Sequence, residues 1–394
     1  MGSDSLRRRL PPVLAIGATL SPAVGIGWFG WDLLPLLVVY WLEAVVYVGR
    51  CSLESLFAVR PVDDDYYGLF LPLERLREKR GSVRVVEWLP PVFPRNVPFA
   101  LNGGWLLFAL GTLGALIMLF ARPPGTLERG TLVGIGGATA LVVGRHAATL
   151  LESIRSDRYN AWTALSPFSR RRWLAVVIVA FLVPIVGLGA DRIGLGLTAT
   201  VALILATKLW YDFLDLRTPD DRPTDPQRDE TAIDVPETAP LAVVHTDGRG
   251  IALDALVLGA MLALLPPVGF VILFSSVAVG LWLGLPAGVA TVVLLVAARA
   301  VLELPIASLR DGAVEYRVYD AAVIAYDTTL DAPQWRLPRR EITDVRTDTT
   351  FMSPLLSGAV GTVRIDCADG SSRSLSLVRN PEAFVRTLSV EPAA

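Results

Sequence analysis

Ionisable residues in stretches otherwise apolar enough for hydrocarbon include Glu43, Arg145, His146, Lys208 and Asp212. A carboxylate, an imidazole and an amine held at one depth could exchange protons or hold a polar substrate inside a helical bundle. Counted from Asp32, Glu43 sits about 17 Å along a helix, near the centre of a bilayer. Tyr40, Tyr47 and Arg50 share its helical face. Arg145 and His146 lie about 21 Å from Thr131, and Lys208 about 21 Å from Gly194, by the same rise. These depths predict one buried polar cluster drawn from three segments. The plainer alternative is architectural: Arg145, Glu152, Lys208, Asp212 and Asp215 reach the interface along their stems, and Glu43 pairs with Arg50 or Lys208.

No other constellation points to catalysis. The chain has two histidines and two cysteines, and neither Cys-x-x-Cys nor His-Glu-x-x-His spacing occurs to hold zinc. A Gly-x-Ser-x-Gly elbow and a Gly-x-x-x-x-Gly-Lys-Ser/Thr phosphate loop are both missing. The expectation is therefore no enzyme, no cofactor and no metal. With 36 basic against 38 acidic residues, the balance gives no ground for nucleic-acid binding.

The elements that position these residues follow from composition. Of 394 residues 53% are apolar and 19% charged, too apolar for an ordinary soluble domain. Apolar runs able to cross about 30 Å of hydrocarbon begin near Val13, Asp32, Pro98, Thr131, Trp173, Gly194, Ile251 and Val277, which predicts about eight spans. Basic residues alternate between the connections. Arg7 to Arg9, the Arg60 to Arg95 loop, Arg155 to Arg172 and Arg217 to Arg249 are rich in them, whereas the intervening loops hold Arg122, Arg129 and Arg192. Both termini are thereby placed on the cytoplasmic side of the cell membrane. Arg7-Arg8-Arg9 before an apolar run also fits a secretory signal, but a first helix explains the same residues.

Two connections stand out. Leu69 to Arg80 passes from apolar to basic and reads equally as an interfacial amphipathic stretch or a solvated loop helix. From Thr218 to Pro240 prolines alternate with carboxylates, too little apolar surface to fold, so a disordered linker is expected. Beyond it, Gly280, Gly284 and Gly288 are spaced to make a close-packing helix face, with Pro286 kinking that helix.

Gly30-Trp31-Asp32, Tyr40-Trp41-Leu42-Glu43, Pro94, Pro98-Phe99, His146 and Lys208 before Asp212 together resemble an uncharacterised six-span prokaryotic membrane family over about the first 217 residues. The resemblance implies a fold and a prominent Glu43, without an activity.

After Val301 short alternating runs replace the long apolar ones: Val314 to Tyr319, Ala322 to Tyr326, Gln334 to Leu337, Ile342 to Thr347, Thr362 to Asp366 and Ser372 to Leu377. Alternation means strands with one buried face. Ala368-Asp369-Gly370 marks a hairpin, and Asn380-Pro381 opens a helix with Phe384, Val385 and Leu388 on its apolar side. Arg336-Leu337-Pro338 leading into Glu341 to Val345, Gly358 to Val363 and Asn380-Pro381-Glu382 resemble the bacterial pleckstrin-homology-like domain found beside paired membrane helices. That resemblance implies a non-catalytic module for assembly or for contact with lipid or protein. Arg310, Arg336, Arg339 and Arg340 could form its basic face toward anionic lipid. Alternatively they only solvate it, balanced by Asp327, Asp331, Asp344 and Asp348.

The expected architecture is an all-α polytopic membrane bundle of about eight helices followed by a small all-β barrel with a capping helix. Its parts are a six-span domain at 1–217, a linker at 218–248, a two-span unit at 249–304 and the barrel at 305–394. The expected task is a membrane-anchored scaffold or interaction protein whose partners are the bilayer and an anionic lipid or protein. The alternatives are a transporter built around Glu43 and, with least support, an intramembrane enzyme.

Overall fold

A computed structural model describes residues 33–62, 74–103, 129–168, 233–266, 268–348 and 360–389, with a few isolated positions besides. In chain order these residues form α1 (Leu33–Phe57), α2 (Glu74–Arg77), α3 (Arg129–Arg155), β1 (Ala242–His245), α4 (Gly248–Leu264), α5 (Val268–Leu283), α6 (Leu285–Ala307), β2 (Val314–Val318), β3 (Ala322–Asp327), β4 (Ala332–Pro338), β5 (Ile342–Asp348), β6 (Val360–Cys367), β7 (Ser372–Arg379) and α7 (Pro381–Ser389). They divide into two compact units, residues 1–72 with 84–228 and residues 73–83 with 229–394.

In the first unit α1 packs along α3. The apolar run of α1 buries Leu36, Val39, Tyr40, Ala44, Tyr47 and Val48. Past Phe57 the carbonyls left without helical partners are met by side chains of the short 3-10 turn Pro94–Asn96. Asn96 Nδ2 donates to Ala58 O at 2.7 Å, and Arg95 donates to Val59 O. A helix end buried in this way needs such donors.

In the second unit, a four-stranded antiparallel sheet in the order β1-β2-β3-β4 and a three-stranded one, β5-β6-β7, enclose an apolar core. Val314, Tyr316, Val318, Val323, Leu337, Val363, Ile365, Leu375 and Phe384 fill it, with α7 contributing Phe384 and Leu388. β1 precedes the three helices and β2 follows them, yet the two pair from Ala242 with Val318 to His245 with Glu315. The helices α4, α5 and α6 are therefore an insertion between adjacent strands. Large apolar side chains along them, among them Met261, Phe274, Leu281, Val293 and Leu302, are exposed. So wide an apolar surface fits a lipid environment.

Several expectations change. Among the described residues two helical stretches are long and apolar enough to cross a membrane, Pro35–Phe57 and Leu285–Gly312, or up to three if the bent pair α4 and α5 forms one span. The all-α polytopic bundle of about eight spans is thus not what these residues build. The run from Ile251 to Val301 supplies three helices in place of two spans, because the chain bends by 69° between α4 and α5 and turns again at Gly284. α3 is helical across its run but falls outside the set apolar enough to span, since Arg145, Glu152 and its glycines dilute it. The runs starting near Val13, Trp173 and Gly194, and most of that from Pro98, lie outside the described residues. The C-terminal part holds two separate antiparallel sheets in place of a single barrel. Residues 242–245, within the stretch read as disordered linker, form β1.

The glycine spacing also acts differently. Gly284, at φ +93°, makes the turn between α5 and α6, and there Gly280 and Gly288 meet across the hairpin. A Cβ on Gly288 would lie 3.0 Å from Gly280 Cα. Pro286 opens α6 at its first turn, where its missing N–H costs nothing, and makes no kink.

Candidate functional site

A polar seam runs between α1 and α3. On α1 the residues Tyr40, Glu43, Tyr47, Arg50, Cys51 and Glu54 recur every three or four positions and so share one face. Across from them α3 presents Arg145, His146, Thr149 and Ser153, again at helical spacing. Glu43 and Arg145 form an ion pair with Nη1 to Oε1 at 3.3 Å, the side chains 12% and 17% exposed. Three turns further on, Ser153 Oγ donates to Glu54 Oε1 at 3.1 Å. Glu54 also faces Arg50 Nε at 3.9 Å. The Arg50 guanidinium lies 5.4 Å from the centre of the Tyr47 ring, and that ring meets His146 edge-on at 6.1 Å.

The seam is closed at one end by the 3-10 turn Ser166–Phe168. Tyr47 Oη and Cys51 Sγ both donate to Pro167 O, at 3.4 and 3.2 Å. Gly103 allows a close approach there, since a Cβ would fall 2.1 Å from Ser52 Oγ. Nearby Tyr159 has its phenol pushed up by burial and by its hydrogen bond to Asp157. Such a seam joins two helices strongly, because each polar group in an apolar surround gains most when its partner is fixed.

Of the five residues expected to cluster, Glu43, Arg145 and His146 come together on α1 and α3, while Lys208 and Asp212 lie outside the described residues. Glu43 pairs with Arg145, a partner the architectural alternative had not named, and Arg50 faces Glu54. Glu152 points elsewhere, to an exposed pair with Arg158 at 3.5 Å. Ser153, Glu54 and the Pro167 carbonyl were not singled out from sequence. The signal for Glu54 and Ser153 was present, since each continues a polar spacing already noted, by eleven residues from Glu43 and by eight from Arg145.

Of the four arginines expected on a lipid-facing surface, three meet partners within the chain. Arg310 Nε lies 2.6 Å from Asp311 Oδ2, and Arg336 is 3.4 Å from Asp234. Arg339 donates to Leu388 O at 2.9 Å, closing the end of α7. Arg340 is exposed. The carboxylates expected to balance them also have other duties: Asp327 meets Lys79, Asp331 accepts from Tyr326, and Asp344 accepts from the amide of Val345. Among the described residues no three of His, Cys, Asp and Glu gather as a metal site requires.

A model of a protein family of unknown function, DUF6498, matches residues 1–229. The whole seam lies within that stretch. No pleckstrin-homology-like family model matches the C-terminal residues. No curated protein and no solved structure matches the chain.

Proposed function

We propose that this chain, which belongs to the DUF6498 family of unknown function, is a membrane-anchored, non-catalytic scaffold that presents its two-sheet unit, a pleckstrin-homology-like module, at the cytoplasmic surface of the cell membrane. One observation carries the reading: the sheets are fastened to both ends of an apolar helical insertion. β1 ends two residues before α4 begins, and α6 runs through a π turn, Ser308–Gly312, almost directly into β2. Ile251, Ala255 and Ala307 at the helix feet pack with Val360 and Leu377 of the second sheet. Asp247 caps α4 through the amide of Gly250 at 2.8 Å while accepting from Arg379 Nε at 3.0 Å. Thr246 Oγ1 donates to Asp311 O at 2.9 Å. Connections this short remove the swivel that a flexible tether would permit, so the module is held in one orientation toward whatever meets it.

The Glu43–Arg145 pair supports reading the seam as the fastening of two helices ahead of a transport site around Glu43. The outer face of the second sheet, with Arg346, Arg364 and Ser374 exposed, is the surface for a protein or anionic-lipid partner. The test places a photo-crosslinking residue at each of these positions in the full chain in cells. A discrete protein or lipid adduct is expected at one or more of them. Absence of any adduct at all three, with the chain present in the membrane fraction, would overturn the scaffold reading.

A further inference from the structure

Within the second unit a short piece of chain, Leu73–Val83, lies against the first sheet although it precedes that sheet by more than 150 residues. Its contacts are specific. Leu76 is fully buried, and α2 rests on the π turn that leads into β2. Lys79 Nζ meets Asp327 Oδ2 at 2.7 Å, with 7% and 2% of the two side chains exposed. The other oxygen of Asp327 accepts from the amides of Thr329 and Leu330, both at 3.0 Å, so the carboxylate is aimed before the lysine arrives. Gln334 reads the backbone of Arg80 from both sides, accepting from its N–H at 2.9 Å and donating to its carbonyl at 3.1 Å. Gly81 adopts φ +92°, and a Cβ there would fall 3.1 Å from Leu330 Cβ and 3.2 Å from Ala332 Cβ.

We propose that the sheet unit carries a binding site for a short peptide of the form Leu-x-x-Lys-x-Gly, and that the chain fills this site with its own residues 76–81 as a releasable latch. Three positions are read by side chain or by the lack of one, and a fourth by its backbone, which is the pattern of peptide recognition. The segment is no structural part of the sheets. β2, β3 and β4 complete their ladders with one another, and a helix of one turn such as α2 has no stability of its own. Release therefore leaves the sheets standing and uncovers Asp327, Leu330 and Gln334. Of the stretch Leu69 to Arg80, expected as an interfacial or solvated loop, the described residues Leu76 and Lys79 are instead buried in the sheet unit. This site stands whether or not the opposite sheet also meets a partner.

The test uses the full chain in lipid nanodiscs and follows amide hydrogen exchange. Lys79→Met leaves Asp327 without its cation and should speed exchange across residues 76–81 roughly a hundredfold, while β2, β3 and β4 keep their protection. A synthetic peptide of residues 74–83, added at about millimolar concentration, should then restore protection at residues 327–334. The same peptide with its lysine replaced by methionine should not. Asp327→Asn should both open the latch and abolish the rescue. Should Lys79→Met fail to fold, Gly81→Ala opens the latch through backbone strain and the same rescue is read. Unchanged exchange at 76–81 in both variants, loss of β2 to β4 together with the segment, or no protection from the peptide would each overturn the proposal.

Discussion

Replacing Glu43 by Gln leaves the Arg145 guanidinium facing a neutral amide in the middle of the seam, and replacing Arg145 by Met takes this cation from the carboxylate. At 3.3 Å the gross attraction is about 5 kcal/mol for an effective dielectric of about 20. Most of that is offset by removing both charges from water. A net coupling of about 2 kcal/mol remains, at the upper end of polar contacts between membrane helices. Each single substitution also leaves a buried group underserved, so each should cost about 2 to 4 kcal/mol, Arg145→Met the more. For a unit of this size that lowers the unfolding midpoint by about 5 to 10 °C. The assay is thermal unfolding of the full chain in detergent micelles for both single variants and the double variant. The double variant should be more stable than the sum of the singles implies by about 2 kcal/mol. Additivity within about 0.5 kcal/mol would refute the claim that this pair fastens α1 to α3.

Gly259→Leu should push α4 off α6, because even a Cβ at Gly259 would fall 2.7 Å from Ala300 Cα; a loss of about 1 to 3 kcal/mol is expected in the same unfolding assay, and an unchanged midpoint would contradict the packing. Asp247→Ala removes the cap of α4 and the acceptor of Arg379, so faster exchange at residues 248–250 and a cost of about 1 to 2 kcal/mol are expected. The phenol of Tyr326 is raised above its ordinary value, first by its hydrogen bond to Asp331 at 2.5 Å and then by burial. The folded state thus holds this proton more tightly, and the contribution is complete below the ordinary tyrosine range and is lost as pH climbs through the raised value. Ultraviolet titration of wild type against Tyr326→Phe should show a late-ionising phenol that moves back down in Asp331→Asn; a phenol titrating identically in both backgrounds would contradict the assignment.

The strands after Val314 were legible because each buries one face of a period-two pattern. Val314, Tyr316 and Val318 point into the core while Glu315 and Arg317 remain outside it. The opening of α7 at Pro381 was legible for a similar local reason, a proline where a helix begins. β1 was not legible. Its four residues follow an acidic, proline-rich run, and its partner strand lies beyond three helices, so nothing nearby marks it. The span count failed where hydropathy cannot see a break: the bend between α4 and α5 and the turn at Gly284 divide one apolar stretch into three helices.

For the seam, rise per residue gives only a position along each helix. It did not single out the Glu43–Arg145 pair, because that depends on the rotation of each helix about its axis. Lys79 was visible only as one basic residue among several, with no local sign that a carboxylate on a distant strand awaited it.

By itself the sequence determined what each segment could be: apolar helices, half-buried strands, and the lack of any recognisable catalytic motif. These follow from side-chain type and periodicity, which are properties of neighbouring residues. Tertiary structure decided which charges meet, which strand β1 joins, and where residues 76–81 come to rest. Such pairings close long loops, and chain entropy makes their cost nearly independent of the exact separation. The selection then falls to the shape and charge of the surfaces brought together, which no local pattern records.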